Sequence, residues 1–283
     1  MSVFKGVTAG ITATFLWAFL PTLCKIALSG TNINQFLLLR YIVAFSTLFY
    51  LTRRTFRKFN QIPLWIWCAI FFTITTHNLT QALCLKEIPV SWYIIFFSCA
   101  PILTYMLLPG SKNKGFYACF LLAIYGTYVF LNPEDIVQLQ SKMGLVFLFV
   151  SIMSWVIITR LIIYFQKVYN DFEIAYILNT CNLIGAVTLF LLSGSDLNLN
   201  WKVSLIPIIF IGIMSPLAVL LFSLSLRILP KFGIASQYLE LVFGVIIGFI
   251  FFNEIPSNQQ FLGSGLIITA LLGTTLLKNK SQN

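Results

Sequence analysis

VSLIPIIFIGIMSPLAVLLFSLSL, residues 203–226, is an apolar run without a single charge. A helix needs roughly 20 such residues to cross about 30 Å of hydrocarbon. A strand of a transmembrane barrel would instead show about 10 residues of alternating polarity. The run does not alternate, so it reads as a membrane-spanning helix. Nine further runs of the same kind flank it, near residues 6–28, 34–51, 62–83, 88–108, 115–131, 143–165, 172–192, 233–252 and 259–277. The composition agrees. Of 283 residues, 59% are hydrophobic and 9% charged, and mean hydropathy is +0.91, whereas a soluble domain carries about 25% charged residues. The fold class expected is an all-α integral membrane protein of ten transmembrane helices.

The net charge of +10 is arranged by side. An even number of spans puts both termini on one face. Loops of that face hold Lys5, Arg53, Arg54, Arg57, Lys58, Lys112, Lys114, Lys167, Arg227, Lys231, Lys278 and Lys280, against Lys86, Lys142 and Lys202 opposite. Positive charge stays cytoplasmic, so both termini are expected in the cytoplasm of a cell inner (plasma) membrane. RRTFRK (residues 53–58) directly follows a span and reads as a topological anchor rather than a nucleic-acid patch. The first span exceeds the 7–15 apolar residues of a signal peptide core and is expected to be retained. Cys24, Cys68, Cys84, Cys99, Cys119 and Cys181 all fall inside spans without C-x-x-C spacing, which suits small buried side chains rather than metal ligands or disulfides. No cofactor is expected.

The longest loop, around residues 132–142, lies midway. It divides the chain into a first five-helix repeat at 1–131, an outer loop at 132–142 and a second five-helix repeat at 143–283. Weak internal echoes support a duplication: FLWAFLPTLCK (15–25) with IMSWVIITR (152–160), and LCLKEIPVSWY (83–93) with LSLRILPKFGIASQY (224–238). Because five is odd, the second copy runs through the membrane inverted. Inverted repeats characterise secondary transporters, whose substrate sites lie near the midplane between the repeats. Gly6 with Gly10 and Gly244 with Gly248 permit close helix approach. Pro21, Pro101, Pro207 and Pro216 each remove a helical donor and can bend a span. SNQQ (257–260) matches a capping box for the tenth span.

Ionisable groups at membrane depth are Lys25, Arg40, His77, Arg160 and Glu240. Each costs at least about 2.5–3.5 kcal/mol at the bilayer centre, so such groups face protein or water and mark pathways. Arg40, six residues into its span, is shaped to grip a carboxylate or phosphate. Lys25 either snorkels to the interface or touches substrate. Arg160 reads as an anchor near the cytoplasmic face. Glu240 is too deep to snorkel. It receives a cationic group or a coupling proton, or it is a static partner of Arg40 or Lys25. His77 and Gln81, four apart, Asn78 beside them, and Asn179 with Asn182, three apart, either line a polar cavity or join helices. Trp17, Trp92 and Trp155 wall that cavity or pack.

With these residues in hand, the chain resembles the EamA-type ten-helix branch of the drug/metabolite transporter superfamily. Trp17, Lys25 and Arg40 in LWAFLPTLCKIALSGTNINQFLLLRYIVA, the stretch CLKEIPVSWYIIFFSCAPIL with Pro101, and YLELVFGVIIGFIFFNEIP with Glu240, Glu254 and Pro256 carry the resemblance. The last is similar to the signature of a subgroup that includes S-adenosylmethionine carriers. Leu241 stands where a proline often follows the glutamate, and PGSKNKG after the fourth span lacks the family's glutamate. The resemblance implies a carrier with a central cavity between inverted halves.

The function expected is a secondary carrier of a small polar organic metabolite, amphoteric in the manner of S-adenosylmethionine or an amino acid. The candidate substrate-binding set is Arg40, Lys25, Glu240, His77, Gln81, Gln237, Tyr238 and Trp17. Its partners are a small-molecule substrate, the lipid bilayer, and a coupling proton or counter-substrate, with no nucleic acid. The alternative is a non-transporting membrane partner or a lipid-linked-sugar flippase subunit, against which ten spans argue. An intramembrane enzyme is disfavoured because His77 is the single histidine and neither H-E-x-x-H nor a nucleotide-binding loop is present.

Overall fold

The computed structural model describes residues 3–52, 63–107, 114–130, 141–194, 199–252 and 257–276. Arg53, Arg54, Arg57, Lys58, Lys112, Glu254, Pro256, Lys278, Lys280 and most of the 132–142 loop lie outside these residues, as do the side chain of Trp92 and the surroundings of Gly248.

Thirteen helices occur among the described residues: α1 (Val3–Ala18), α2 (Leu20–Ser29), α3 (Ile33–Thr52), α4 (Leu64–Glu87), α5 (Val90–Phe97), α6 (Ala100–Met106), α7 (Lys114–Phe130), α8 (Lys142–Phe165), α9 (Asp171–Ser193), α10 (Trp201–Ile228), α11 (Pro230–Ser236), α12 (Leu239–Phe252) and α13 (Asn258–Leu276). Three pairs are single crossings with a break of one or two residues: α1/α2, α5/α6 and α11/α12. The helices thus form ten segments, in the order the hydropathy predicts. Six are long and apolar enough by themselves to cross a membrane, among them Val3–Ser29 and Trp201–Ile228. Outward faces are rich in exposed apolar side chains such as Phe4, Trp65, Phe149, Leu192 and Phe261, as suits a chain whose solvent is lipid.

The breaks have local causes. Pro21 and Pro101 each stand in the first turn after a break, where a missing N–H costs nothing. Pro207 and Pro216 instead sit inside the continuous α10. The third break has no proline. There the amides of Gln237, Tyr238 and Glu240 bond three residues back, to the carbonyls of Ile234, Ala235 and Gln237, and this tightening to i→i+3 bonding interrupts the helix. The breaks in segments 4 and 9 occupy the fourth place of each five-segment half. Helix ends are secured by side chains. Ser257 and Gln260 form the expected reciprocal box, Asn170 and Glu173 form another at α9, and Ser141 caps α8.

Packing repeats between the halves in inverted orientation. Segment 1 runs antiparallel to segment 8, with Gly6 against Ile228 at one face and Gly30 against Ser204 at the other. Segment 6 runs antiparallel to segment 3, with Gly144 against Ile88 and Phe165 against Trp67. Advancing every segment by five turns the 1/8 pair into the 6/3 pair. Gly6 and Gly144 then occupy equivalent contacts at opposite faces, and the same sequence spacing relates Trp17 to Trp155. Segments 5 and 10 pair with each other, as do 2 and 7. Gly6 and Gly10 of the first G-x-x-x-G pack inside the chain, against Ile228, Leu229, Ser225 and Phe232.

Candidate functional site

Between the 1/8 and 3/6 pairs lies a cavity of about 80 Å³. Trp17, Leu20, Pro21, Ser215 and Val219 line it from the first pair. Ile74, His77, Asn78, Gln81 and Trp155 line it from the second. Arg40, Tyr41, Tyr93, Phe97, Leu178, Asn179, Asn182, Gln237 and Glu240 complete the wall. Phe97 and Gln237 stand at the breaks of segments 4 and 9. The halted helices therefore point at the chamber, an arrangement common to binding sites built from discontinuous membrane helices.

Arg40 dominates the electrostatics. It is 5% exposed, and its Nε is buried without a hydrogen-bond partner. Among the described residues its guanidinium makes no hydrogen bond or ion pair. Its contacts are the rings of Tyr41, 5.1 Å from Cζ, and Phe36, at 5.9 Å, which supply weak cation–π attraction. Its donors are thus left for the cavity. Glu240 sits in the first turn of α12, where the helix dipole favours a negative charge. Its carboxyl group too has no hydrogen bond or ion pair to a described residue. The ion pair found among those residues is Arg227–Asp171, elsewhere in the chain. Arg40 and Glu240 therefore share one chamber as separate groups, with no bridge between them.

The neutral groups are fixed by one another. Asn78 Nδ2 donates to Asn182 Oδ1 at 2.8 Å and to Ile74 O at 2.7 Å, and Asn179 Nδ2 donates to Ala175 O. Gln81 Nε2 donates to Tyr93 Oη at 2.7 Å. Trp155 Nε1 donates to Gln237 Oε1 at 2.8 Å, while Gln237 Nε2 reaches Ile234 O. His77 Nδ1 lies 3.0 Å from the carbonyl oxygen of Ser151. Ser151 Oγ lies 3.2 Å from the same nitrogen; a proton on Nδ1, which the bond to the carbonyl requires, leaves Nε2 of a neutral ring as an acceptor. Trp17 and Trp155 meet edge to face at 5.3 Å, with Phe222 beneath both. This cluster joins the two helix pairs across the chamber.

Of the expected set, Trp17, Arg40, His77, Gln81, Gln237 and Glu240 come together here. Lys25 and Tyr238 do not line the cavity. Lys25 is exposed, and its Nζ donates to Ile88 O at 3.2 Å. Tyr238 is buried against Phe120, its hydroxyl without a partner, because one helical step turns it away from the face that presents Gln237. Tyr41, Tyr93, Phe97 and Ser215 were not expected. Tyr93 and Phe97 lie four apart and stack at 5.2 Å, a spacing the sequence does display. Arg160 is half-buried in the last turns of α8. The described residues contain no cluster of metal-ligating side chains.

Residues 142–276 match the EamA-like transporter family. That family consists of membrane transporters, so the match speaks for a multi-pass membrane transporter in general terms and, at family level, against an enzyme. A solved structure described only as "Crystal structure of protein" is similar to the whole chain. It covers 96% of this chain and 99% of its own at 17% identity, with a TM-score of 0.76. The likeness extends the fold to the first half. Comparison with curated proteins found no match.

Proposed function

We propose that the protein is a secondary carrier that moves a small polar organic metabolite by alternating access between its inverted halves. On this reading residues 1–131 and 143–283 are the two repeats, and the termini face the cytoplasm of the inner membrane. The observation that carries the proposal is Arg40, a buried guanidinium without a hydrogen bond or ion pair among the described residues, facing the same chamber as Glu240, which has no ion pair among them either. A buried charge left unpaired costs several kcal/mol, and such groups in membrane proteins line substrate paths. A permanent Arg40–Glu240 bridge, the static alternative, is not what the side chains make.

Two opposite poles suit an amphoteric substrate whose anionic group meets Arg40 and whose cationic group meets Glu240. His77 Nε2 and the free amide hydrogens of Asn182 supply an acceptor and donors between them, and Trp17 and Trp155 give an apolar surface. S-adenosylmethionine and amino acids both have this character.

A thermal-shift screen of the purified protein against amino acids, nucleosides, S-adenosylmethionine and its demethylated product identifies the class, since a ligand stabilises the state it binds. The compound that shifts the melting temperature is then followed by counterflow in proteoliposomes. Loss of counterflow in both Arg40→Gln and Glu240→Gln, with normal folding, is expected. Wild-type rates in both variants refute the assignment.

A further inference from the structure

The polar contacts that tie one antiparallel pair to the other are concentrated at the two ends of the cavity. At the face opposite the N-terminus, Lys25 of segment 1 donates from Nζ to Ile88 O, at the end of segment 3. At the N-terminal face, Arg227, in the last turn of segment 8, donates from Nη1 to Gln166 O at 3.0 Å and from Nη2 to Tyr169 O at 2.6 Å, just past the end of segment 6. Its Nε bonds both carboxylate oxygens of Asp171 at 3.1 Å. The same end is braced by Ser223 Oγ to Asp171 Oδ1 at 2.7 Å and by Gln166 Nε2 to Ser223 O and Oγ.

Advancing segments 1 and 3 by five gives segments 6 and 8. The two contact sets thus join equivalent segments at opposite faces. They are equivalent in place rather than in residue, since the donor stands on segment 1 in one set and on segment 8 in the other. Between them sits the Trp17–Trp155–Phe222 cluster, which bridges the pairs at mid-depth.

We infer that Lys25–Ile88 and Arg227–Gln166/Tyr169/Asp171 are the two gates of the carrier, closing opposite ends of the cavity as the pairs rock about the aromatic cluster. The inference rests on the carrier reading and assigns its moving contacts. The gates are unequal. One is a single ammonium–carbonyl bond on an exposed lysine. The other is a multiply bonded guanidinium with a carboxylate partner, and charge-assisted, forked bonds of this kind are the strong ones. The empty protein therefore opens more readily at the face opposite the N-terminus. Lys25, which lies off the cavity wall, acquires a role as the weaker gate.

Hydrogen–deuterium exchange of the full chain in lipid nanodiscs tests the inference with D2O as the probe and no substrate. Arg227→Met is expected to speed exchange on the order of tenfold around residues 160–170 and 222–230, the effect of losing charged hydrogen bonds. It is also expected to slow exchange around 24–30 and 84–90, because rocking opens one end only as the other closes. Lys25→Met gives the reverse pattern with a smaller amplitude. Asp171→Asn keeps the shape while weakening the latch, and serves if Arg227→Met does not fold. Loosening confined to the mutated end, with no protection at the far end, identifies a static brace and overturns the inference, as does no change at either end. Exchange is read without transport, so failure of the gates and failure of the carrier reading are separately visible.

Discussion

Arg40 should be worth more to function than to stability, and Arg40→Met measures the difference. The native side chain buries Nε without a partner. An unsatisfied buried polar group costs about 1–3 kcal/mol, more when charged. Opposing this are two aromatic contacts, at 5.1 and 5.9 Å, each contributing about 0.5–2 kcal/mol according to desolvation. Methionine keeps much of the apolar stem volume, its thioether suits contact with Tyr41 and Phe36, and no unpaired donor remains. The aromatic gain is partly retained and the penalty vanishes, which leaves the variant about 1–2 kcal/mol more stable. Denaturant titration of the detergent-solubilised protein should show the midpoint rising without a change of slope, the mark of a stability change alone. The same variant should lose the thermal shift given by any anionic or amphoteric ligand that stabilises the native protein. A variant destabilised by 2 kcal/mol or more, on the order of what breaking a hydrogen-bonded buried charge removes, means that Arg40 holds the fold together, and the stability–function argument fails.

Trp155→Phe removes the indole N–H that holds Gln237 Oε1 at 2.8 Å. It is expected to weaken ligand binding several-fold by titration calorimetry while changing the melting temperature little, the mark of a lost positioning bond. Gly263 meets Gly126 O and Phe130 Cβ, each 2.6 Å from where a Cβ would stand, so Gly263→Val should destabilise by about 1–3 kcal/mol in denaturant titration through overpacking. Gly244 has nothing within 4 Å of an added Cβ, and Gly244→Ala should change stability by well under 1 kcal/mol, or raise it slightly through helix propensity. Ser257→Ala removes the hydroxyl that accepts from Gln260 N and should cost about 1 kcal/mol, seen as faster amide exchange in the first turn of α13.

What was legible in the sequence follows from what lipid demands. Because every backbone donor must be satisfied within a span, a crossing must be both apolar and long, so the ten runs and their ends could be read from composition alone. That Arg40, His77 and Glu240 turn away from lipid was legible for the same reason, since lipid-facing charge is too costly. The breaks were only half legible. Pro21 and Pro101 announce two of them, but hydropathy does not change when a helix tightens for one turn, and nothing in SQYLELV marks the third. The relation between Arg40 and Glu240 was not legible either. Rise per residue gives depth along the membrane normal, while pairing depends on azimuth and tilt, which only packing fixes. The same limit applies to the neighbours Gln237 and Tyr238. They share a depth, and the roughly 100° turn between successive helical residues sends one to the chamber and the other to Phe120.

The third break and Glu240 are best understood together. A proline after the acid would begin α12 by subtraction, removing a donor. Here Leu241 stands in that place, and the helix instead begins with the i→i+3 bonds of Tyr238 and Glu240. Those bonds leave the start of α12 open at the depth of the chamber, with Glu240 in its first turn. The acid thus sits in the first turn of its own helix, where the dipole is positive, and makes no bridge to Arg40. On the carrier reading proposed above, a cation at Glu240 and an anion at Arg40 would be bound at once, with no internal bridge to break first. Moving the helix start by one residue would turn Glu240 by about 100°, away from Gln237 and out of the cavity wall. The break, though it carries no charge itself, is what keeps the two poles apart and available.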